Sequence, residues 1–106
     1  TSIGDLVESQ SITEVFGERG VPVSSTKSLH GHLLGGGGAL ELLVAIEVLV
    51  SGVAPHTVNL DQLDSSISLD LIYKQPRALE HPCHVMSNSF AFGGTNAVLI
   101  ASQPEI

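Results

Sequence analysis

The sequence predicts an α/β fold in which helices are layered on sheet. Three observations carry that expectation. The apolar 42% of the chain is mostly Leu, Val, Ile and Ala, with three Phe, one Tyr and no Trp. Helix-period segments alternate with short β-branched runs. The most apolar stretch follows four consecutive glycines, Gly35 to Gly38, and has the length of a buried helix. A chain of 106 residues is long enough for one domain and not two, so 1–106 reads as a single domain.

The elements follow in order. Asp5 to Phe16 places Leu6, Val7, Ile12, Val15 and Phe16 at roughly helical spacing, with Asp5 as cap and Glu8 three residues on. Gly17 and Gly20 end this surface helix, which is expected to bury one face. Val21 to Thr26 reads as a short strand, with Pro22 at its start or on an edge. Leu33 to Val53 reads as a helix buried nearly all round, because from Ala39 onward only Glu41, Glu47 and Ser51 are polar. Glycine costs about 1 kcal/mol relative to alanine inside a helix. Four in a row therefore suggest a first turn pressed against a neighbouring element. Gly52 and Pro55 terminate the helix.

Residues 54 to 82 hold the turn formers Asn59, Asp61, Asp64, Ser65, Ser66 and Pro76. They read as a wrapping connection, with Leu69 to Tyr73 as a short edge strand. His84 to Phe90 and Asn96 to Ala101 form a hairpin around Ala91-Phe92-Gly93-Gly94-Thr95. Its second strand is continuously apolar and is expected at the centre of a sheet.

Eleven acidic against four basic residues give a net charge of −7. Nucleic-acid phosphates require Lys and Arg, so this balance argues against nucleic acid and against an anionic membrane surface. Leu33 to Ala54 is long enough to suggest a membrane span. Glu41 and Glu47 would each cost about 3 kcal/mol near a bilayer centre, so a buried helix is the better reading. A lone cysteine, Cys83, excludes an intrachain disulfide and fits a reducing, cytoplasmic compartment. The first residues lack the pattern of a signal peptide, and opening on Thr1 without methionine suggests a fragment or a processed chain.

Chemistry-bearing residues gather at the strand-to-helix junction, Ser24 to Gly38. His32 stands just before the apolar helix, where the positive end of the helix dipole favours a neutral imidazole. Such a histidine donates a hydrogen bond well and suits a developing enolate or oxyanion; the bland alternative is a satisfied structural histidine. His30, two residues away on another face, reads as a solvated loop residue. Glu41 lies in an otherwise apolar helix and needs a partner when buried; Lys27 can supply one if the chain folds back.

Phe92-Gly93-Gly94 offers backbone N–H groups that can form an oxyanion hole, although many two-glycine turns do nothing of the kind. Cys83 reads as a small buried hydrophobe rather than a nucleophile. The glycine run is not a phosphate loop, since no Gly-Lys-Ser/Thr follows it, and no strand directly precedes it as in a dinucleotide site. His30 and His32 are not spaced at i and i+4, which argues against zinc.

Together these residues resemble the C-terminal part of elongating β-ketoacyl synthases of the thiolase superfamily. Val23-Ser-Ser-Thr-Lys-Ser with Gly31-His32 resembles the block V-S-S-T-K-S-x-x-G-H. Leu34-Gly35, Gly38 and Glu41 match its continuation L-G-x-x-G-x-x-E. Asn88 to Asn96 resembles N-S-F-G-F-G-G-T-N, and Thr1 with Gly4-Asp5 resembles the end of H-G-T-S-T-x-x-G-D. His30 departs from a usual threonine, Ala91 from a glycine, and Gly36 and Gly37 from alanines.

The resemblance implies a thiolase-like layered αβαβα fold, of which this chain is the C-terminal portion without its first strand. It implies His32 as the second catalytic histidine, donating to the malonyl thioester carbonyl as the enolate forms. Lys27 would order the site, paired with Glu41. Phe92 would be the gatekeeper at the nucleophile, with a backbone N–H in the oxyanion hole, supported by Gly93 and Gly94. Thr1 would contact the phosphopantetheine arm, and Glu41, Ser87 and Asn88 match positions that hold a monovalent cation in some members.

No cofactor is implied. Acyl carrier protein is the implied partner, and the full enzyme is implied to be a homodimer. The nucleophilic cysteine and first catalytic histidine have no counterpart here, so the chain alone is not expected to perform the condensation. The alternatives are a polyketide ketosynthase, a non-catalytic chain-length-factor-like subunit and, more remotely, an N-terminal-nucleophile hydrolase using Thr1.

Overall fold

The computed structural model describes residues 1–105. Its contacts divide the chain into two compact units. One comprises Thr1–Leu29 with Pro55–Pro76, and the other His30–Ala54 with Arg77 to the C-terminus.

The first unit opens with helix α1, Ser2–Phe16. Thr1 is its cap: the Thr1 Oγ1 accepts the Gly4 N–H at 3.0 Å. The expected Asp5 cap is therefore displaced by one turn, and Asp5 instead sits in the first turn, where a carboxylate favours the positive end of the dipole. The helix stops where Gly17 takes φ +84°. Gly20 is obligatory for a different reason, since a Cβ there would lie 1.8 Å from the Phe16 carbonyl oxygen. Only Ser9 and Ile12 of α1 are buried, while Ile3, Val7 and Val15 stay exposed. The expected buried face is narrow because these apolar residues do not share one stripe.

Strand β1 is confined to Pro22–Val23, with proline at its start. It pairs in parallel with β3, Asp70–Leu71, which lies within the predicted edge strand. Beyond β3, the Ile72 N–H donates to the Val23 carbonyl and the Thr57 N–H donates to the Ile72 carbonyl, both at 2.9 Å. Ile72 is the most deeply buried apolar residue of the core, at 2% exposure. In the predicted turn region, the Ser66 hydroxyl and N–H both donate to Asp64 Oδ1 and hold that carboxyl below its ordinary range.

The second unit is built on a helix and a hairpin. After a short 3₁₀ turn, Leu34–Gly36, helix α3 runs from Gly37 to Ser51. Gly52 caps it in the left-handed region, φ +70°, with its N–H on the Val48 carbonyl at 2.9 Å. The chain then forms β2, Val53–Ala54, paired antiparallel with β4, Arg77–Ala78. Strands β5, His84–Ala91, and β6, Thr95–Ser102, make the predicted hairpin, with Ala91 opposite Thr95 and Phe92-Gly93-Gly94 as its loop. Helix α3 packs against β5 and more lightly against β6. The Gln103 amide donates to the Leu49 carbonyl at 2.9 Å and ties the end of the hairpin to α3.

Several expectations are corrected here. Strand β6 is not central: its only paired neighbour among the described residues is β5, and Ile100 is 67% exposed. Helix α3 is not buried all round, since only Gly37, Val48 and Leu49 are buried and Val50 is 78% exposed. Both elements are apolar on more faces than this chain can cover. The glycine run is not pressed close throughout. A Cβ on Gly35 or Gly37 would meet nothing within 4 Å, and one on Gly38 would meet Ser89 Oγ at an ordinary 3.7 Å. Cys83 is exposed in the turn before β5, not buried, with its thiol 3.5 Å from the His81 carbonyl.

Candidate active-site segments

The junction holding Lys27, His30 and His32 is a single helical turn, α2, Lys27–His30, followed by an irregular step into α3. The two histidines are set in opposite ways. His30 donates its Nδ1–H to the Gly31 carbonyl at 2.8 Å. At His32 the Leu34 N–H donates to Nδ1 at 3.0 Å. An Nδ1 that accepts cannot carry the proton, so neutral His32 is the Nε2–H tautomer and its Nε2–H is the group free to donate.

Leu34, the donor to His32, takes φ +51°, a left-handed backbone that a leucine adopts only at a penalty. Gly31, at φ +83°, makes the other sharp step beside His32. Both His32 and Leu34 are exposed, Leu34 at 80%. The sequence flags His32; it carries no flag for the left-handed Leu34.

Lys27 is half-buried in the first unit. Contacts with Thr57 and Val58 help to hold its turn. The Ser25 N–H donates to Thr57 Oγ1, and the Val58 N–H donates to Ser28 Oγ, each at 2.9 Å. Neither Thr57 nor Ser28 has a role in the sequence reading, because the partners lie 32 and 30 residues apart. Thr1, also in the first unit, spends its hydroxyl on the α1 cap.

Glu41 and Phe92 belong to the second unit. Glu41 is half-buried and lies one turn beyond Gly38 on α3, so it shares the helix face that meets Ser89 of β5. Successive strand residues point to opposite faces, so Ser87 shares the Ser89 face and Asn88 does not. Side chains of both Ser87 and Asn88 therefore cannot face one cation. Among the described residues there is no group of three or more His, Cys, Asp or Glu placed to hold a metal. Phe92 stands at the tip of the hairpin, 99% exposed, and Gly93 and Gly94 follow at φ +83° and +77°. Those angles favour glycine. A cavity of about 480 Å³ beside the end of α3, bordered by β2, β4 and Glu80–Pro82, is lined by none of the predicted site residues.

An apolar helix packed on a hairpin, a histidine fixed through Nδ1 ahead of that helix and a Phe-Gly-Gly hairpin tip fit the C-terminal part of a thiolase-like α/β fold. The chain belongs to the β-ketoacyl synthase family: residues 1–61 match the family described as "Beta-ketoacyl synthase, C-terminal domain". It is 43% identical over 103 residues to 3-oxoacyl-[acyl-carrier-protein] synthase 2 of Vibrio cholerae, covering 94% of this chain and 25% of that protein. It is also 43% identical over 105 residues to Nodulation protein E of Rhizobium leguminosarum bv. trifolii, covering 97% of this chain and 26% of that protein.

Among solved structures, a beta-ketoacyl synthase from Burkholderia phymatum STM815 superposes with a TM-score of 0.83 at 39% identity. That match covers 96% of this chain and 25% of the other. The chain thus spans about a quarter of the relatives it matches. Membership leaves the Thr1 hydrolase reading without support. It also accounts for the segment Leu34–Ser51, which is apolar enough by length and composition to cross a membrane, as a layer of the synthase fold.

Proposed function

We propose that this chain is the C-terminal portion of an elongating β-ketoacyl-acyl-carrier-protein synthase, a decarboxylative condensing enzyme. The observation that carries the reading is His32. Its Nδ1 is engaged by the Leu34 N–H, so in the neutral imidazole it is the Nε2–H that can donate to a thioester carbonyl. In the full enzyme an acyl group is transferred to a cysteine outside this chain. A malonyl thioester then loses carbon dioxide, and His32 stabilises the enolate oxygen as it forms. The resulting carbanion attacks the acyl-cysteine carbonyl, and the Phe92 backbone N–H serves the oxyanion.

Lys27 orders the site, and Thr1 lies along the phosphopantetheine arm. A monovalent cation near Glu41 fits Ser87 better than the Asn88 side chain. No cofactor is needed. Acyl carrier protein delivers the substrates. With a net charge of −7, this portion does not supply the docking patch for that acidic partner. The full enzyme is a cytoplasmic homodimer on this reading.

The test is His32→Ala in the complete enzyme. Loss of one such donor is expected to lower malonyl decarboxylation and condensation about 10²–10³-fold while cysteine acylation persists. Decarboxylation near the wild-type rate overturns the assignment. A second reading, a ketosynthase of another acyl pathway such as a polyketide one, is favoured by the equal identity to Nodulation protein E. Turnover of a series of acyl primers separates the two. Retention of both Lys27 and His32 speaks against a non-catalytic subunit.

A further inference from the structure

We propose that Thr57 and Ser28 form a two-point clasp that positions Lys27, an inference that rests on Lys27 being a site residue as read above. The clasp is reciprocal. The Thr57 hydroxyl oxygen accepts the Ser25 N–H, and the Ser28 hydroxyl oxygen accepts the Val58 N–H, each at 2.9 Å. The two bonds therefore fall on either side of Lys27, two residues before it and one after. Between them the chain makes one helical turn, closed by the Leu29 N–H on the Thr26 carbonyl at 2.9 Å.

The far side of the clasp is itself fixed. Thr57 donates its N–H to the Ile72 carbonyl, and Ile72 donates its own to Val23, the residue from which the turn departs. Ile72 is almost fully buried, so both ends of the turn are referred to one rigid point in the core. A lysine side chain has four rotatable bonds and little intrinsic direction. What such a residue can order depends on where its backbone is held, and here the chain on both sides of it is tethered to residues 57 and 58. Both bonds are exposed, so removing either hydroxyl leaves its backbone N–H to water and releases that tether on the turn. Thr57 and Ser28 are thus positioning residues that act through Lys27 and touch no reacting atom.

The test uses the complete enzyme with Thr57→Val, Thr57→Ser, Ser28→Ala and Lys27→Ala, alone and with Thr57→Val placed in the Lys27→Ala background. Displacement of a site group by a fraction of an ångström to one ångström lowers kcat by about 10- to 100-fold. Thr57→Val and Ser28→Ala are expected to lower malonyl decarboxylation by about tenfold, and Thr57→Ser to restore it. In the Lys27→Ala background Thr57→Val should bring no further loss, since its route of action is already gone. An undiminished rate in both Thr57→Val and Ser28→Ala, or a tenfold loss that persists without Lys27, overturns the clasp and leaves the reading of Lys27 standing. An undiminished rate in Lys27→Ala overturns that reading and the clasp with it. If Thr57→Val fails to fold, Ser28→Ala alone and in the Lys27→Ala background decides.

Discussion

Two histidines a single residue apart have opposite hydrogen-bonding polarity. His30 gives its Nδ1–H to the adjacent carbonyl, and His32 receives an N–H at the same ring position. His30 is thereby tied to its own backbone, while His32 is left with an outward donor. Leu34, the residue that donates to His32, takes φ +51°. A left-handed residue with a Cβ carries roughly 1–2 kcal/mol of strain. Asparagine tolerates this conformation better than leucine, and a β-branched residue tolerates it worse. In the complete enzyme Leu34→Asn is expected to raise the unfolding free energy by roughly 0.5–1 kcal/mol, and Leu34→Val to lower it by about 1 kcal/mol. Denaturant unfolding checks both.

At the scale of elements, helix α3 shows which glycines the backbone demands. Gly52 sits at φ +70° and delivers the capping N–H to Val48. A Cβ there would find the Leu79 carbonyl oxygen at an unstrained 3.7 Å, so any penalty for alanine comes from the backbone angle and not from crowding. Gly52→Ala is expected to destabilise the complete enzyme by about 1 kcal/mol, read as a lower denaturant midpoint at unchanged slope. An unchanged midpoint would show that this helix end relaxes into another cap. The hairpin is the most faithfully anticipated element, because a continuously apolar run and a Gly-Gly turn are both local signals. The strands β2 and β4 escaped sequence reading because two residues carry no period, and their pairing joins segments far apart in the chain. The cap of α1 was misplaced for a similar reason. Thr1 and Asp5 are both good caps, and only the position of the Gly4 N–H distinguishes them.

At the scale of the molecule, the apolar surface exceeds what this chain can cover. Leu43, Ile46 and Val50 of α3, and Val98, Leu99 and Ile100 of β6, are all exposed. Strand β6 also has one edge unpaired among the described residues. Exposed apolar strand edges template association. Produced by itself, the chain is therefore expected to be oligomeric or poorly soluble, as light scattering or size-exclusion chromatography would report. A monomeric species with one cooperative unfolding transition contradicts this. The sequence by itself determined the family, the hairpin and the apolar helix, because these rest on contiguous residue patterns, and it nominated His32, Lys27 and Glu41 as site residues. Only the tertiary structure decided that β6 lies at an edge, that His32 is engaged through Nδ1, and that Thr57 and Ser28 grip the turn of Lys27. Those facts depend on dihedral angles and on hydrogen bonds between residues some thirty positions apart, for which a linear pattern carries no signal.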